Sequence, residues 1–499
     1  MKLPALAVLA VSVALTAACG TTVPLTHQVV ADGTTTTDGL GATAPGAGAV
    51  APSSSTTTSG GGGRGATGVG PGVVSGAGGS GAAASTGATT GAVSGSPSAT
   101  GAGRAGGDHS PVKVGFLVFN DAGAAFKAAG YDGLSTGDGT SEAKVAVSVI
   151  NSHGGLAGHL VTPVIYAADA ATINDQAFQA ACSMFFEDNK VVAVVSIAQS
   201  TVLSACSTAH RAGLVVAGSG STSQSVLDQY PAVVYSSVMT FDTIAAQLTD
   251  DLARTRFFAA YGGKPAKIGL VRLDSPPYAA VEGIVRAHLK TAGLTLTDAV
   301  AMPDADAASA ATAGRSAALK FASEGITHVL TVDNNGFAID WFATGAQSNG
   351  YYPHYGLSTI DNLALIASSN SGKTLDGAQG IGWSPVIDMP LADQRPLGDH
   401  SKTCTDAMAR AGIDMTSAST HQIALGICDA AFLLQAGLAR GVLTAQGFEA
   451  GLADLAGFRS AMVFSTDFAK SRAAARGYRS VAYQPACSCF RYTSPVTTF

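Results

Sequence analysis

The chain has 499 residues, a formal net charge of −6 and a pI near 5.9. With no basic run, that balance excludes the basic face on which nucleic-acid binding depends. The length would allow several domains, but composition changes sharply near Asp108, and only the part beyond it has the apolar content to pack a core.

The first residues, MKLPALAVLAVSVALTAACG, carry one lysine, an apolar stretch ending near Leu15 and small residues before Cys19, the pattern of an export signal. A transmembrane anchor is the alternative, though the apolar run is on the short side for a bilayer. The tetrad ending in Cys19 resembles the bacterial lipoprotein box. That resemblance implies removal of residues 1–18 and a lipid on the Cys19 sulfur, holding the protein on the extracytoplasmic side of the membrane. From residue 20 to about 110, Gly, Ser, Thr and Ala dominate, as in TTTSGGGGRGATGVGPG, so a disordered tether is expected. As a flexible coil it would reach roughly 50 Å. A glycosylated stalk or tolerated filler fits the same placement.

The globular part opens with VKVGFLVF at Val112, a short β-rich run, then a Gly-rich loop and SEAKVAVSVINSHGG, apolar at helical spacing. Gly154 and Gly155 stop that helix and Gly158 permits the turn into LVTPVIYA, a helix-to-strand corner. Next come a helix from about Ile173 to Glu187, strand VVAVV at Val191, a helix from Ser200 to Arg211, and strands LVVAG at Leu214 and VVYSSV at Val233. A helix near Ile244 to Arg256 leads to a second series. Strand KIGLVRLD at Lys267 is followed by helix Pro277 to Ala292, strand LTLTDAV, helix Ala307 to Glu324, strand THVLTVD at Thr327, helix Gly336 to Ser348 and strand YGLST at Tyr355. Helices around Asp399 to Ala411, His421 to Arg440 and Ala445 to Leu455 close the pattern. Such alternation predicts an α/β fold of two Rossmann-like lobes, parallel sheets flanked by helices and hinged around a central ligand cleft. Lobe one is expected to take 111–238 and about 386–458, and lobe two about 239–385 and 459–499.

Beyond Cys19, six cysteines remain, and an even number outside the cytosol reads as disulfides. Six allow fifteen pairings, so order alone proves none. Placement on successive predicted helices favours Cys182 with Cys206 and Cys404 with Cys428, which leaves Cys487 with Cys489 in a tight bridge. His400 and Cys404, four apart on a predicted helix, would also suit zinc, but oxidised cysteines are the expected state and no metal or other cofactor is assigned.

From about Val112 to Tyr492 the chain resembles the type I periplasmic binding protein family, in its leucine/isoleucine/valine-binding branch. The matching features are VGFLVF, INSHGGLAGHLVTPVIYAAD, QST after the third strand, DSPPY after the first strand of lobe two, and the helical ALGICDAAFLLQAGL. Cys182 and Cys206 also flank the same helix and strand as a disulfide common in that branch. The resemblance implies a non-enzymatic, monomeric solute-binding protein that delivers a small polar ligand, such as an amino acid, to an ABC importer whose permease and ATPase are separate chains.

Ligand contacts are sought just after strand ends. In lobe one these are Phe119 and Asn120, then Gln199, Ser200 and Thr201 at a helix N-terminus that favours a carboxylate. Ser219, Gly220 and Ser221 follow the next strand, where the resemblance places groups that bind an α-carboxylate. Phe119 read alone is ordinary core, and Ser200 is equally an N-cap. In lobe two, Asp274 and Tyr278 lie in DSPPY, and the resemblance puts an aromatic residue over the ligand near Tyr278. Asp333 with Asn334 would receive an ammonium group; either acid would also serve to cap the following helix. Two loops fail on context. GSGSTS at Gly218 lacks the third glycine of a dinucleotide loop and leaves little room for a crossover helix, and ASSNSGKT at Ala367 lacks the first glycine of a P-loop. No nucleophile elbow is present. A surface sensor signalling to a membrane partner, or an exported enzyme on the same scaffold, are the competing functions.

Overall fold

Val112–Phe119 (β1) sends its side chains alternately to two packed faces, Val114, Phe116 and Val118 to one and Leu117 and Phe119 to the other, all buried. A strand covered on both sides needs an unbroken apolar run, which is why VGFLVF does not alternate with polar residues. The computed structural model describes residues 109–120, 122–123, 127, 135–170, 173–218, 220–260, 263–303, 307–333, 336–370, 372–455 and 457–499. The expected signal, Cys19, the tether up to residue 108, Ser219 and Asn334 lie outside the described residues.

The first sheet is built from β1, helix Gly139–Ser152 (α1), Val161–Ala168 (β2), Asp175–Cys182 (α2), Ala193–Ser196 (β3), Thr201–Ala209 (α3), Gly213–Val216 (β4), Gln224–Gln229 (α4) and Val233–Tyr235 (β5). All its pairings are parallel, in the order β2-β1-β3-β4-β5. The sequence reading left little room for a crossover helix between β4 and β5. Six residues suffice, because Ser223 caps α4 by accepting from Val226 N and the chain turns straight back into a parallel strand.

The second sheet follows Phe241–Arg254 (α5) and comprises Ile268–Asp274 (β6), Val281–Thr291 (α6), Leu296–Pro303 (β7), Ala307–Glu324 (α7), His328–Val332 (β8), Phe337–Ser348 (α8), His354–Ser358 (β9), Leu363–Ser369 (α9) and Gln379–Gly382 (β10). Pro385–Asp388 (α10), Asp399–Arg410 (α11), Ala418–Gly437 (α12) and Ala445–Leu452 (α13) come next, then Gly477–Gln484 (β11), Cys489–Tyr492 (β12) and Thr497–Thr498 (β13). Strand order is β12-β11-β10-β9-β8-β6-β7, parallel from β7 to β10, with β11 and β12 antiparallel and β13 paired to β11. The β11–β12 hairpin was absent from the sequence reading, which took its residues only for their cysteines. Helices α12 and α13 pack back on the first sheet against α1, β3 and β4, while α5 and α6 cover one face of the second sheet and α7 and α8 the other.

The glycine-rich corner Ile150–Ala170 is scaffolding. Asn151 locks helix to strand through both ends of its amide: Nδ2 donates to Val161 O at 3.0 Å and Oδ1 accepts from Val161 N at 2.7 Å. Gln435 of α12 donates to the carbonyls of Ile150 and Gly155, satisfying acceptors that a helix end leaves open. Gly154 and Gly155 both have positive φ, 92° and 67°. Only Gly155 is also hemmed in, since a Cβ there would stand 2.0 Å from His159 O, while one at Gly154 would meet nothing. Disulfides join Cys182 to Cys206, Cys404 to Cys428 and Cys487 to Cys489. Cys404 is therefore bridged and not an available zinc ligand.

Urea unfolding of Gly154→Ala should show a loss of about 1 kcal/mol, the cost of a left-handed backbone alone. Gly155→Ala should lose about 3 kcal/mol, because overpacking adds to that strain. Equal losses would show that the corner is not held as described.

Candidate functional site

Every parallel strand releases its chain at the same edge of its sheet, so strand-end residues collect there by construction. Three stretches connect the two sheets, and two of them leave from those edges: 236–240 between β5 and α5, 383–398 between β10 and α11, and 453–476 between α13 and β11. They are laced together. Ser384 Oγ donates to Met462 O at 2.9 Å, Ala475 N to Val238 O at 3.1 Å and Tyr235 N to Arg472 O at 2.7 Å.

Of the residues expected to meet a ligand, Asn120 and Asp274 are exposed at the ends of β1 and β6. Gln199, Thr201 and Gly220 are partly exposed at the ends of β3 and β4. Ser200 is buried and N-caps α3, its Oγ accepting from Leu203 N at 3.2 Å. Ser221 is fully buried and its hydroxyl donates to Met239 O, tying the loop after β4 to the first connection. Phe119 belongs to the core beneath α2 and α3. Tyr278, 3 % exposed, stacks on Phe241 at 4.1 Å, so here the ring packs against the start of α5. Asp333 is buried and caps α8: its Oδ2 accepts from Ala338 N at 2.8 Å and Ile339 N at 3.1 Å. This is the capping alternative, and it supplies the charge compensation a buried carboxylate needs.

Between the lobes lies a hollow of about 360 Å³, within the range of small-molecule sites. One wall is α9 with Asn362 before it and the turn Cys487–Phe490; the other is Val386, Ile387 and Pro390 with Ser419 and Gln422 of α12. Asn362 follows the short turn Thr359–Asp361 that leaves β9, and the Ser419 hydroxyl donates to Ser135 O at 2.7 Å, in the loop that follows β1. The hollow therefore runs from the loops after β1 and β9, along α9, to the β11–β12 turn, which the antiparallel register sets beside the start of β10. None of the residues proposed from the sequence lines it. Asn362 was legible by the strand-end rule applied to the other strands, whereas Ser419 and Gln422 sit in the first turns of α12, for which no spacing gives a signal.

Buried carboxyls stand at the connections. Asp429 of α12 is fully buried; its Oδ1 accepts from Ser460 Oγ at 2.8 Å and Ala461 N at 2.6 Å. Burial raises its pKa to about 7, with those two hydrogen bonds opposing the shift. Asp388 is held by Tyr492 Oη at 2.6 Å and Ser384 N at 3.0 Å, and burial likewise raises it to about 7. Asp361, which accepts from Thr331 Oγ1 and Ser358 N, is raised to about 8 by burial and then by the charge of Asp333.

No family model matches the sequence, and no curated protein matches it. Solved structures do. An ABC transporter substrate-binding protein from Desulfitobacterium hafniense in complex with Leu matches with a TM-score of 0.53 at 16% identity, covering 77% of this chain and 100% of that one. A solute-binding protein of an ABC transporter from R. palustris in complex with 4-hydroxybenzoate gives 0.56 at 14% identity, over 78% of this chain and 97% of its own. A branched-chain amino acid ABC transporter protein from Thermus thermophilus with bound valine gives 0.54 at 14%, over 78% and 97%. The fold is that of the two-lobed periplasmic binding proteins.

Because the folded pKa of Asp429 lies above its ordinary 3.8, its contribution to stability is full below that value and is lost as pH rises through about 7. Asp429→Asn keeps the Oδ1 acceptor and removes the titration. Urea unfolding at pH 4 and pH 8 should show the fall in stability shrinking by on the order of 2–4 kcal/mol in the variant. An unchanged fall would mean that Asp429 stays ionised.

Proposed function

We propose that this protein is an extracytoplasmic solute-binding protein that captures a small organic molecule between its lobes and passes it to an ABC-type importer. The observation that carries this reading is the hollow itself: a small-molecule-sized space bounded by both lobes and lined in part by Val386, Ile387 and Pro390 of one connection between them. Its described lining combines apolar walls from Leu365, Ile387 and Phe490 with the neutral polar groups of Asn362, Ser419 and Gln422, the mixture typical of sites that bury a ligand's body and orient its polar end. A solute touching both lobes favours the closed arrangement by its differential affinity for it, and no bond need be made or broken. The proteins of like fold bound to Leu, valine and 4-hydroxybenzoate support small solutes of this size as the class to test. The lipid on Cys19, the tether, the strand-end contacts and the lobe boundaries belong to the same proposal: a receptor held near its permease by a flexible leash.

A thermal-shift screen of the purified protein against amino acids, hydroxybenzoates, fatty acids and short amides tests the reading. At a hundred times its Kd a true ligand adds about 2.7 kcal/mol of stability, and it should be recovered chemically unchanged. The doubly substituted Asn362→Gly, Gln422→Ala protein should lose most of that shift while melting near normally without ligand, since glycine accepts the left-handed backbone that Asn362 adopts at φ 55°. Turnover of the bound molecule would instead favour an enzyme, and a shift that survives both substitutions would place the ligand elsewhere.

A further inference from the structure

A second, smaller cavity of about 150 Å³ lies beneath residues 391–397, where they strap over α11 and α12. Its walls are largely apolar, with Val386, Leu391, Leu397, Leu425 and Met462 drawn from two of the interlobe connections, the strap and α12. Arg395 stands among the lining residues, its guanidinium donating to the carbonyls of Ala392 and Gln394. No acid is among the described lining residues, so a cation would be desolvated there without compensation.

The informative side chain is His421. Gln394 donates through Nε2 to the carbonyls of Val386 and Met389, each at 3.0 Å. With both amide hydrogens engaged, only the Gln394 Oε1 is left to face His421 Nδ1, at 2.6 Å. An amide oxygen can only accept, so Nδ1 must carry the ring proton. Burial holds the pKa of His421 below its ordinary value, which keeps the ring neutral. Nε2 is thereby fixed as an acceptor on a ring that lines the cavity. An apolar space of this volume suits a benzene-sized body, and the acceptor in its wall is complemented by one hydroxyl.

We propose that this cavity is a binding site for a small neutral hydroxy-aromatic molecule of the phenol class, whose hydroxyl donates to His421 Nε2, separate from the interlobe hollow. Pro385, Val386, Ala461 and Met462 in its wall belong to the connections between the sheets, so an occupant favours the lobe arrangement that leaves the cavity open to it.

Titration of the full-length, methyl-labelled protein with phenol and, in parallel, with toluene tests the site by NMR. The expected result is saturable one-to-one phenol binding with nuclear Overhauser contacts from the ring to Met462 and Leu425 methyls. His421→Phe should weaken phenol by on the order of fivefold, the worth of one hydrogen bond, and leave toluene unchanged; because Gln394 Oε1 loses its donor in this variant, its melting temperature falls, and the two probes are compared on the same folded variant below that temperature. Absence of saturable binding, contacts to Leu365 and Ile387 of the hollow instead, or equal effects of the substitution on both probes would overturn the proposal. The Asn362, Gln422 double variant reads the hollow and His421→Phe reads this cavity, so failure here leaves that result standing, and failure there leaves this one.

Discussion

A parallel strand cannot pass to its neighbour through a tight turn, so each must be returned by a crossover, and all such strands then deliver their following loops to one edge. In this protein that constraint operates twice, in β2-β1-β3-β4-β5 and in the β7-β6-β8-β9-β10 part of the second sheet. The connections leave β5 and β10 from those edges and bond to the third through Ser384, Val238 and Tyr235. Loop-rich edges of both lobes are thereby held near one another while the sheets themselves stay rigid. The hollow and the buried carboxyls at the connections follow from this arrangement more than from any single side chain.

Asp388 and Asp429 give the connections a particular chemistry. Each is wholly buried and bonds backbone of a connection through one carboxylate oxygen, the other having no hydrogen-bond partner. Such groups contribute less to stability than an apolar replacement of the same shape would, and they are costly when ionised. What they supply is geometry, since Asp388 ties 383–398 to Tyr492 of β12 and Asp429 ties α12 to 453–476. The elements on which lobe movement would turn are pinned by hydrogen bonds whose strength depends on protonation.

The alternating architecture was legible because buried parallel strands and their helices leave different periodicities. VKVGFLVF and AASAATAGRSAALKFASE could hardly be confused, and both elements form where expected. The glycine corner was legible because positive φ is a backbone demand that few residues meet. Less visible were α4, only six residues long, and the β11–β12 hairpin, whose cysteines drew attention from its strand character. At the candidate site the strand-end rule led to exposed Asn120 and Asp274. It could not foresee that Ser221, Tyr278 and Asp333 would be engaged by Met239, Phe241 and the N-terminus of α8. Those partners lie 5 to 37 residues away, on elements whose approach is set by tertiary packing. The same holds for Gln394 and His421, which meet only because the strap crosses α12.

The central claim is that two rigid lobes move about the laced connections when the hollow fills. Pulsed dipolar spectroscopy between spin labels on exposed Ala205 of α3 and exposed Ala280, just before α6, measures it across the gap. With a solute from the screen that raises the melting temperature, the account predicts a shorter and narrower distance distribution than in its absence. A distribution unchanged at saturation would contradict capture by closure.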